Sequence, residues 1–506
     1  INAYMASRPG RLAIEFTLLR FQPEPWQPVD VLYIAKLLAW TLSGNWANEL
    51  IRARLAAKLG AERAADLEPP FPVDNPVIVD SPESAGAHAP QPNGWGSGAL
   101  RDALELVEGL FAAPPPPQAP PIGAGLSLPA AGGSNQWVVD GQRTTTGKPL
   151  LANDTHLQLS IPAGWHEVHL VGGGYDVTGV SFPGTPGVVV GHNEHCAWGL
   201  TTAWQDAQDL YIEKLNPENP HQYEYKGEWH NASVIQEEIA IKGQDEPVNQ
   251  DVVITRHGPI ISEVVGESTP LALRWVALEP DNLLRSVLGY GRAHNWAEFR
   301  AALADWSTPG HNFVYADVEG NIGYLQAGWV PVRARGYGLA PVPGWTGEYE
   351  WQGYLSLDEL PQTYNPERGW LATANNLVVD NGYAHFLSGD LENPCRARRV
   401  VDLITSKGTL CADDFARFQL DTYSAQAERF VRHLLQIEPQ DEATRDALGY
   451  LQKWDHHLEP DSVAASIYQV TRLRALYGAF GEHLGDLLNT YLGLDTLTPL
   501  GATTLY

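Results

Sequence analysis

The feature that most constrains this chain is an abrupt change of texture at residues 132–134. The run "APPPPQAPPIGAGLSLPAAGG" ends at Gly132-Gly133, and "SNQWVVDG" begins at Ser134. A Pro/Gly/Ala-rich stretch of low complexity offers little apolar surface and reads as a spacer. The residues after it alternate, and Asp140-Gly141 supplies a turn, so they read as β-structure. The junction therefore separates two parts of the chain that fold by different rules.

The part before it is helical. In "VDVLYIAKLLAWTLSG" apolar residues recur at helical spacing and Ser43-Gly44 closes the run. "NWANELIRARLAAKLGAERAADL" resumes with Asn45 as the expected N-cap and Gly60 as a break. Pro69, Pro70 and Pro72 then stop regular structure. Residues 1–67 form one segment, and residues 68–133 form a linker or excised spacer of little weight in any core. Within it, "GWGSGALRDALELVEGLF" has the pattern of one short helix.

From Ser134 to about Thr373 short strand-like runs dominate, among them "GVVVGHN", "DVVITRHGPII" and "HNFVYADVEGNIGYLQAG". In the last, Gly320-Asn321 turns one aromatic-rich strand into the next. "NWAEFRAALADW" reads as a helix, and helical spacing returns after Arg396. Helices and antiparallel runs are segregated, which predicts an α+β fold. At 506 residues the chain needs more than one core.

Charge narrows the partners. With 60 acidic against 33 basic residues the net charge is -27, which argues against nucleic acid as a partner. There is no apolar run long enough to span a membrane. An acidic surface suits a hard cation such as calcium. The cysteines, Cys196, Cys395 and Cys411, have neither disulfide nor zinc spacing. His192 and His195 in "GHNEHC" are spaced like zinc ligands but lack a third. The sequons at Asn153 and Asn231 are read as chance matches.

Ser134 is the candidate nucleophile. A hydroxyl needs a base to take its proton, and no Gly-x-Ser-x-Gly elbow surrounds it. If the Gly133–Ser134 peptide were cut, the new α-amine would lie beside the hydroxyl. Its pKa near about 7.7–8.0 lets it act as that base. Gly133 suits the position before the cut, because it tolerates the backbone distortion that an N-to-O acyl shift needs.

The blocks "GGSNQWVV", "GVVVGHNEHCAWGLTTAWQDAQDLYIEKL", "HNFVYADVEGNIGYLQAGWVPVR", "PVPGWTGEYEWQGYL" and "YNPERGWLATANN" together resemble the penicillin acylase family. The resemblance implies a four-layer αββα sandwich and an N-terminal-nucleophile amidohydrolase cut from one precursor into an α/β heterodimer. Its substrate would be a small acyl amide, and its compartment periplasmic or secreted. The resemblance makes Ser134 the nucleophile, Thr202 N–H and the Asn375 amide the oxyanion donors, and Arg396 a neighbour of the serine amine. His156 occupies a position from which histidine could bridge to the serine amine or hydroxyl. Glu49, Asp206, the Gln208 carbonyl and Asp209 match the ligands of one structural calcium ion. Leu38, Leu42, Leu157 and Val190 match the acyl pocket, and being aliphatic they imply an aliphatic acyl chain. Residues 134–506 would be the β-chain part, with family sequence continuing beyond both ends. Within the family, penicillin-type, cephalosporin-type and acyl-homoserine-lactone acylases stay open. Outside it, the rival is a carbohydrate-binding or structural β-protein using its many Trp and Tyr.

Overall fold

A computed structural model describes residues 1–8, 10, 12–68, 75–80, 97–111, 133–157, 160–380 and 382–492. Most of the spacer read from the sequence lies outside the described residues.

Alternation begins at the junction, and the strand Gly133–Val139 forms there. It is the middle strand of a three-stranded antiparallel sheet, between Leu150–His156 and Trp370–Thr373. Ser134 lies opposite Thr155, and Gln136 opposite both Asn153 and Thr373. A seven-stranded antiparallel sheet packs against this one. Its four central strands are Ile322–Ala327, His311–Asp317, Cys196–Thr202 and Val190–His192, in that order. The turn between the first two in sequence falls at Gly320, with φ +107°, as the Gly-Asn pair predicts.

Side-chain alternation assigns the layers. Val138 and Leu371 of the small sheet share one core with Val314 and Tyr324 of the large one. On the far face of the large sheet, Trp198, Phe313 and Tyr315 meet Tyr290 and Phe299. Those two rings come from the helices Leu283–Tyr290 and Trp296–Ala302. The second helix is N-capped by Asn295, whose side chain accepts the Glu298 N–H. On the far face of the small sheet, Trp137 and Ala372 pack on Val400, Ile404 and Phe415. These come from the helices Cys395–Thr405 and Ala412–Gln419. The order helix, sheet, sheet, helix is the expected four-layer αββα arrangement.

Polar groups also cross between the sheets. The Thr201 and Thr373 hydroxyls lie 2.6 Å apart, and Asn312 Nδ2 donates to Thr201 Oγ1 at 3.1 Å. Tyr324 donates to Asn312 Oδ1 at 2.6 Å, and Gln136 Nε2 to the Asn312 carbonyl at 2.7 Å. Being buried, these bonds fix how the two sheets sit at the Ser134 end.

The helices Pro28–Thr41 and Asn45–Leu59 break at Ser43-Gly44 as the spacing predicts, and Gly60, at φ +82°, ends the second. The capping expectation is corrected: Gly44 holds the cap and Asn45 is the first helical residue. The Asn45 amide instead donates to Asp206 Oδ1 at 2.9 Å and to the Gln208 carbonyl at 2.7 Å. Among the described residues, no helix is long and apolar enough to cross a membrane.

A second correction concerns residues 97–111. The helix Ser97–Glu108 does form, but it does not idle in a spacer. Leu100, Leu104, Val107 and Phe111 are buried with Leu50, Leu55 and Leu273 in one apolar cluster. Composition misled because the helix is short and flanked by low-complexity sequence, while its own apolar residues recur every three or four positions. Leu104 is 1% exposed. Leu104→Ala should therefore lower unfolding stability by about 2–4 kcal/mol. Chemical denaturation showing a change within error would mean that this helix is dispensable.

Candidate active site

Ser134 is buried beside the helix Cys395–Thr405 and the loop that follows the strand Trp370–Thr373. Its Oγ donates to the Gly133 carbonyl at 2.7 Å, the carbonyl of the peptide a cut would break. Its N–H donates to Asn375 Oδ1 at 2.7 Å. Arg396 completes the group. One nitrogen, Nη1, lies 3.1 Å from the Ser134 carbonyl and 2.8 Å from Asn135 Oδ1, and Nη2 lies 3.0 Å from Asn375 Oδ1. Two donors thus converge on Asn375 Oδ1, which turns the amide so that Nδ2 reaches the Thr202 carbonyl at 2.7 Å. Asn375 holds φ at +61°, a left-handed conformation that asparagine tolerates better than most residues. A Cβ on Gly133 would lie 2.8 Å from Arg396 Nη2, so this position also favours glycine sterically.

Ser134, Asn375, Thr202 and Arg396 are therefore brought together. His156 is not. Ser134 pairs with Thr155 across the sheet, so alternation sends the next residue, His156, to the opposite face. There its Nε2 contacts Asp154 and the ring is largely exposed.

Ser134 and Thr202 line a largely apolar cavity. Leu38, Leu42 and Leu157 line it as expected. Val190 does not: its neighbour Val189 faces the cavity, a one-residue error that moves a side chain to the other face of a strand. Nor is the lining purely aliphatic. Trp165, Phe182 and Trp306 form part of the wall, Trp165 stacking on Phe182 with centroids 4.0 Å apart. Besides the hydroxyls of Ser134, Thr155, Thr185 and Thr202, one imidazole, His311, also lines it. His311 opens the block "HNFVYADVEGNIGYLQAG", but nothing in that block marks it, or the three aromatic residues, for the cavity. Only the strand register, which sets His311 opposite Thr202, brings the histidine to the site.

The acidic residues lie elsewhere, where the helix Asn45–Leu59 meets the strand Gln208–Ile212. Glu49, Asp206 and Asp209 are all buried. Arg333, which sequence reading missed, spans the two aspartates: its Nη2 is 2.8 Å from Asp206 Oδ1 and 2.6 Å from Asp209 Oδ1. Asp209 Oδ2 also accepts the Trp351 indole N–H at 2.6 Å. Glu49 Oε2 accepts the Leu210 N–H at 3.1 Å, while Oε1 has no partner. Burial, reinforced by Asp209 and Asp206, pushes the Glu49 carboxyl well above the usual carboxylate range. Oxygen donors, an orphaned carboxylate oxygen and three carboxylates against one guanidinium fit a divalent cation. As they stand, no three acidic, His or Cys side chains among the described residues converge on one point, because Arg333 lies between the aspartates. A further buried carboxylate, Asp390, is paired with Arg52 at 2.6 Å.

A serine opening a central strand between two sheets, walled by helices on both outer faces, defines the N-terminal-nucleophile hydrolase fold. The chain belongs to the penicillin amidase family, whose model matches residues 1–503. It is 32% identical to the acyl-homoserine lactone acylase QuiP of Pseudomonas aeruginosa, over 95% of this chain and 57% of that protein. It is likewise 32% identical to the penicillin acylase 2 proenzyme of a Pseudomonas species, over 94% of this chain and 59% of that protein. The chain thus spans less than three fifths of the length of these relatives. Among solved structures it resembles a thermostable penicillin G acylase from Alcaligenes faecalis. The TM-score is 0.56 at 27% identity, over 65% of this chain and 60% of that one.

His311 supplies a pH test of this geometry. Burial lowers its pKa to about 4, against roughly 6.5 in an unfolded chain. Below about pH 6.5 the unfolded chain takes a proton that the folded protein refuses. Stability is therefore fully present above that pH and is lost as pH falls toward 4. His311→Phe should flatten this loss, measured as unfolding free energy against pH. An unchanged slope would mean that the ring is not held neutral by burial.

Proposed function

We propose that the protein is an amidohydrolase that cleaves N-acyl compounds through Ser134, after the Gly133–Ser134 peptide is broken. The observation that carries this reading is the placement of Ser134. It stands at the wall of an apolar cavity, with its hydroxyl 2.7 Å from the carbonyl oxygen before it and Asn375 and Arg396 around it. In maturation, Ser134 Oγ attacks the Gly133 carbonyl carbon, the peptide C–N bond breaks, and water hydrolyses the resulting ester. The serine is left with a free α-amine and hydroxyl. In turnover, that amine takes the hydroxyl proton as Oγ attacks the substrate carbonyl. The Thr202 N–H and Asn375 Nδ2 hold the oxyanion, a pair of donors worth several kcal/mol of barrier. The proton passes to the departing amine, and water then cleaves the acyl-serine ester. A precursor yielding two chains agrees with the proenzyme name of one relative.

Six leucines beside three aromatic side chains suit an apolar acyl group. They do not by themselves choose between a fatty chain and a phenyl ring, so the purely aliphatic expectation is withdrawn. The QuiP relatives favour acyl-homoserine lactones as the second reading over penicillin-type amides. Mass analysis should show the whole protein as two chains, the second beginning at Ser134. Ser134→Ala should remain one chain, and Ser134→Cys should still cut, because a thiol supports the same shift. A single uncut chain with amidase activity would end this mechanism.

We also propose one structural calcium ion on Glu49, Asp206, the Gln208 carbonyl and Asp209. The support is the excess of buried negative charge and the partnerless Glu49 oxygen. A bound divalent cation would neutralise charge that one arginine leaves uncompensated, and would tie the first helical segment to the sheet. Chelation should lower Tm, and added calcium should restore it in a concentration-dependent way. No metal by elemental analysis and no shift in Tm would remove the ion from the account.

A further inference from the structure

His311 is the one imidazole in the lining of the acyl cavity. The imidazole is 4% exposed and belongs to the cavity wall. Its Nδ1 lies 3.0 Å from the Pro309 carbonyl, an acceptor only, so Nδ1 carries the proton. Trp306 packs edge-on at 5.5 Å with an interplanar angle of 89°, and Phe313 flanks the ring at 6.3 Å. The orientation is thus set by one hydrogen bond and two rings. With Nδ1 protonated and the imidazole neutral, Nε2 is a bare lone pair. It has no hydrogen-bond partner among the described residues. His311 lines the cavity, so this acceptor is open to whatever occupies the space where an acyl chain would lie.

We propose that His311 Nε2 accepts a hydrogen bond from a hydroxyl near the carbonyl end of the acyl chain, so that the site selects hydroxyacyl amides. This rests on the amidohydrolase reading, which puts the substrate carbonyl on the Thr202 N–H. Register fixes the position of the hydroxyl. His311 is the direct cross-strand neighbour of Thr202, and such pairs have Cα atoms about 4.5–5.5 Å apart. An acyl chain that runs from a carbonyl held at Thr202 into the cavity therefore passes the imidazole within its first few carbons. The tautomer sets the chemistry. An acceptor recognises a hydroxyl, which donates, and gives nothing to a keto or methoxy oxygen, which only accepts. Engaging this lone pair adds a directed hydrogen bond to a cavity whose wall is mostly apolar.

The test uses the whole protein and has two arms. In the first, calorimetry measures binding of octanoate, 3-hydroxyoctanoate and 3-methoxyoctanoate. The hydroxy acid should bind about five- to tenfold more tightly than either other acid, the scale of one net hydrogen bond. His311→Phe, which keeps a planar ring, should erase that ratio. In the second, kcat/KM is compared for the three corresponding acyl amides of one chromogenic amine, and the same ratio should appear. Equal binding of the three acids by the unaltered protein would overturn the proposal, whatever the variant does. A preference that survives in His311→Phe would overturn it as well. If the binding preference is present but no amide is hydrolysed, the subsite stands and the amidohydrolase reading fails. Hydrolysis of all three amides at equal kcat/KM would keep the enzyme and remove the subsite.

Discussion

The arrangement at the cavity mouth depends on one strand being paired along both edges. Gly133–Val139 bonds to Leu150–His156 on one side and to Trp370–Thr373 on the other. An edge strand could fray or slip, but a central strand has its register set twice. That register determines which residue stands opposite Ser134 and where the chain leaves the sheet toward Asn375. The buried bonds among Gln136, Asn312, Thr201 and Thr373 then lock this sheet to the one that carries Thr202 and His311. The serine, its amide neighbour and the cavity wall come from segments more than 200 residues apart, yet their relative positions follow from strand pairing and one polar seam.

Charge is the second constraint. Arg52 sits at 1% exposure between Glu68 and Asp390, and Arg333 between Asp206 and Asp209. Two buried guanidinium groups therefore face five buried carboxylates, counting Glu49. Removing one partner from such a set leaves an uncompensated charge and costs about 3–5 kcal/mol. The clusters also link distant parts of the chain: residues 45–68 to 206–209, and both to 333 and 390. The excess negative charge collects at Glu49, whose carboxyl burial pushes toward its neutral form. The same excess is what makes a divalent cation an apt occupant.

The sequence was most legible where chemistry imposes residue type. Ser134 and Asn375 lie in blocks of fixed order, and the structure brings them together with Arg396. Thr202 followed by counting along a continuous strand. The errors came where a side chain's role depends on which face it points from. Val190 and His156 each missed by one residue, the period that exchanges the faces of a strand. Asn45 was read as a cap because caps are local, whereas its actual partners, Asp206 and the Gln208 carbonyl, lie about 160 residues away. His311 and Arg333 open and close the block "HNFVYADVEGNIGYLQAGWVPVR", yet nothing local pointed to their roles, since each meets its neighbours only in the folded chain.

The cavity shows why cutting the chain at Gly133 need not dismantle the site. Leu38 and Leu42 reach the cavity from before the junction, while Ser134, Leu157 and Thr202 reach it from after. An acyl chain in that cavity would touch both products of the cut. What holds the first product is not the peptide at 133. The Asn45 amide bonds to Asp206 and Gln208, Arg52 to Asp390, and Glu49 to the Leu210 N–H, all across the junction. Leu50, Leu55, Leu100 and Leu104 add apolar area against Leu210, Leu271 and Leu273. At about 25 cal/mol per Å² of apolar surface, such a cluster favours association without a covalent link. The helix Ser97–Glu108 belongs to this interface, so it reads as part of what keeps the two products together, and material for excision must lie on either side of it. Freeing the Ser134 amine thus changes the chemistry at one atom while the packing that shapes the cavity stays in place.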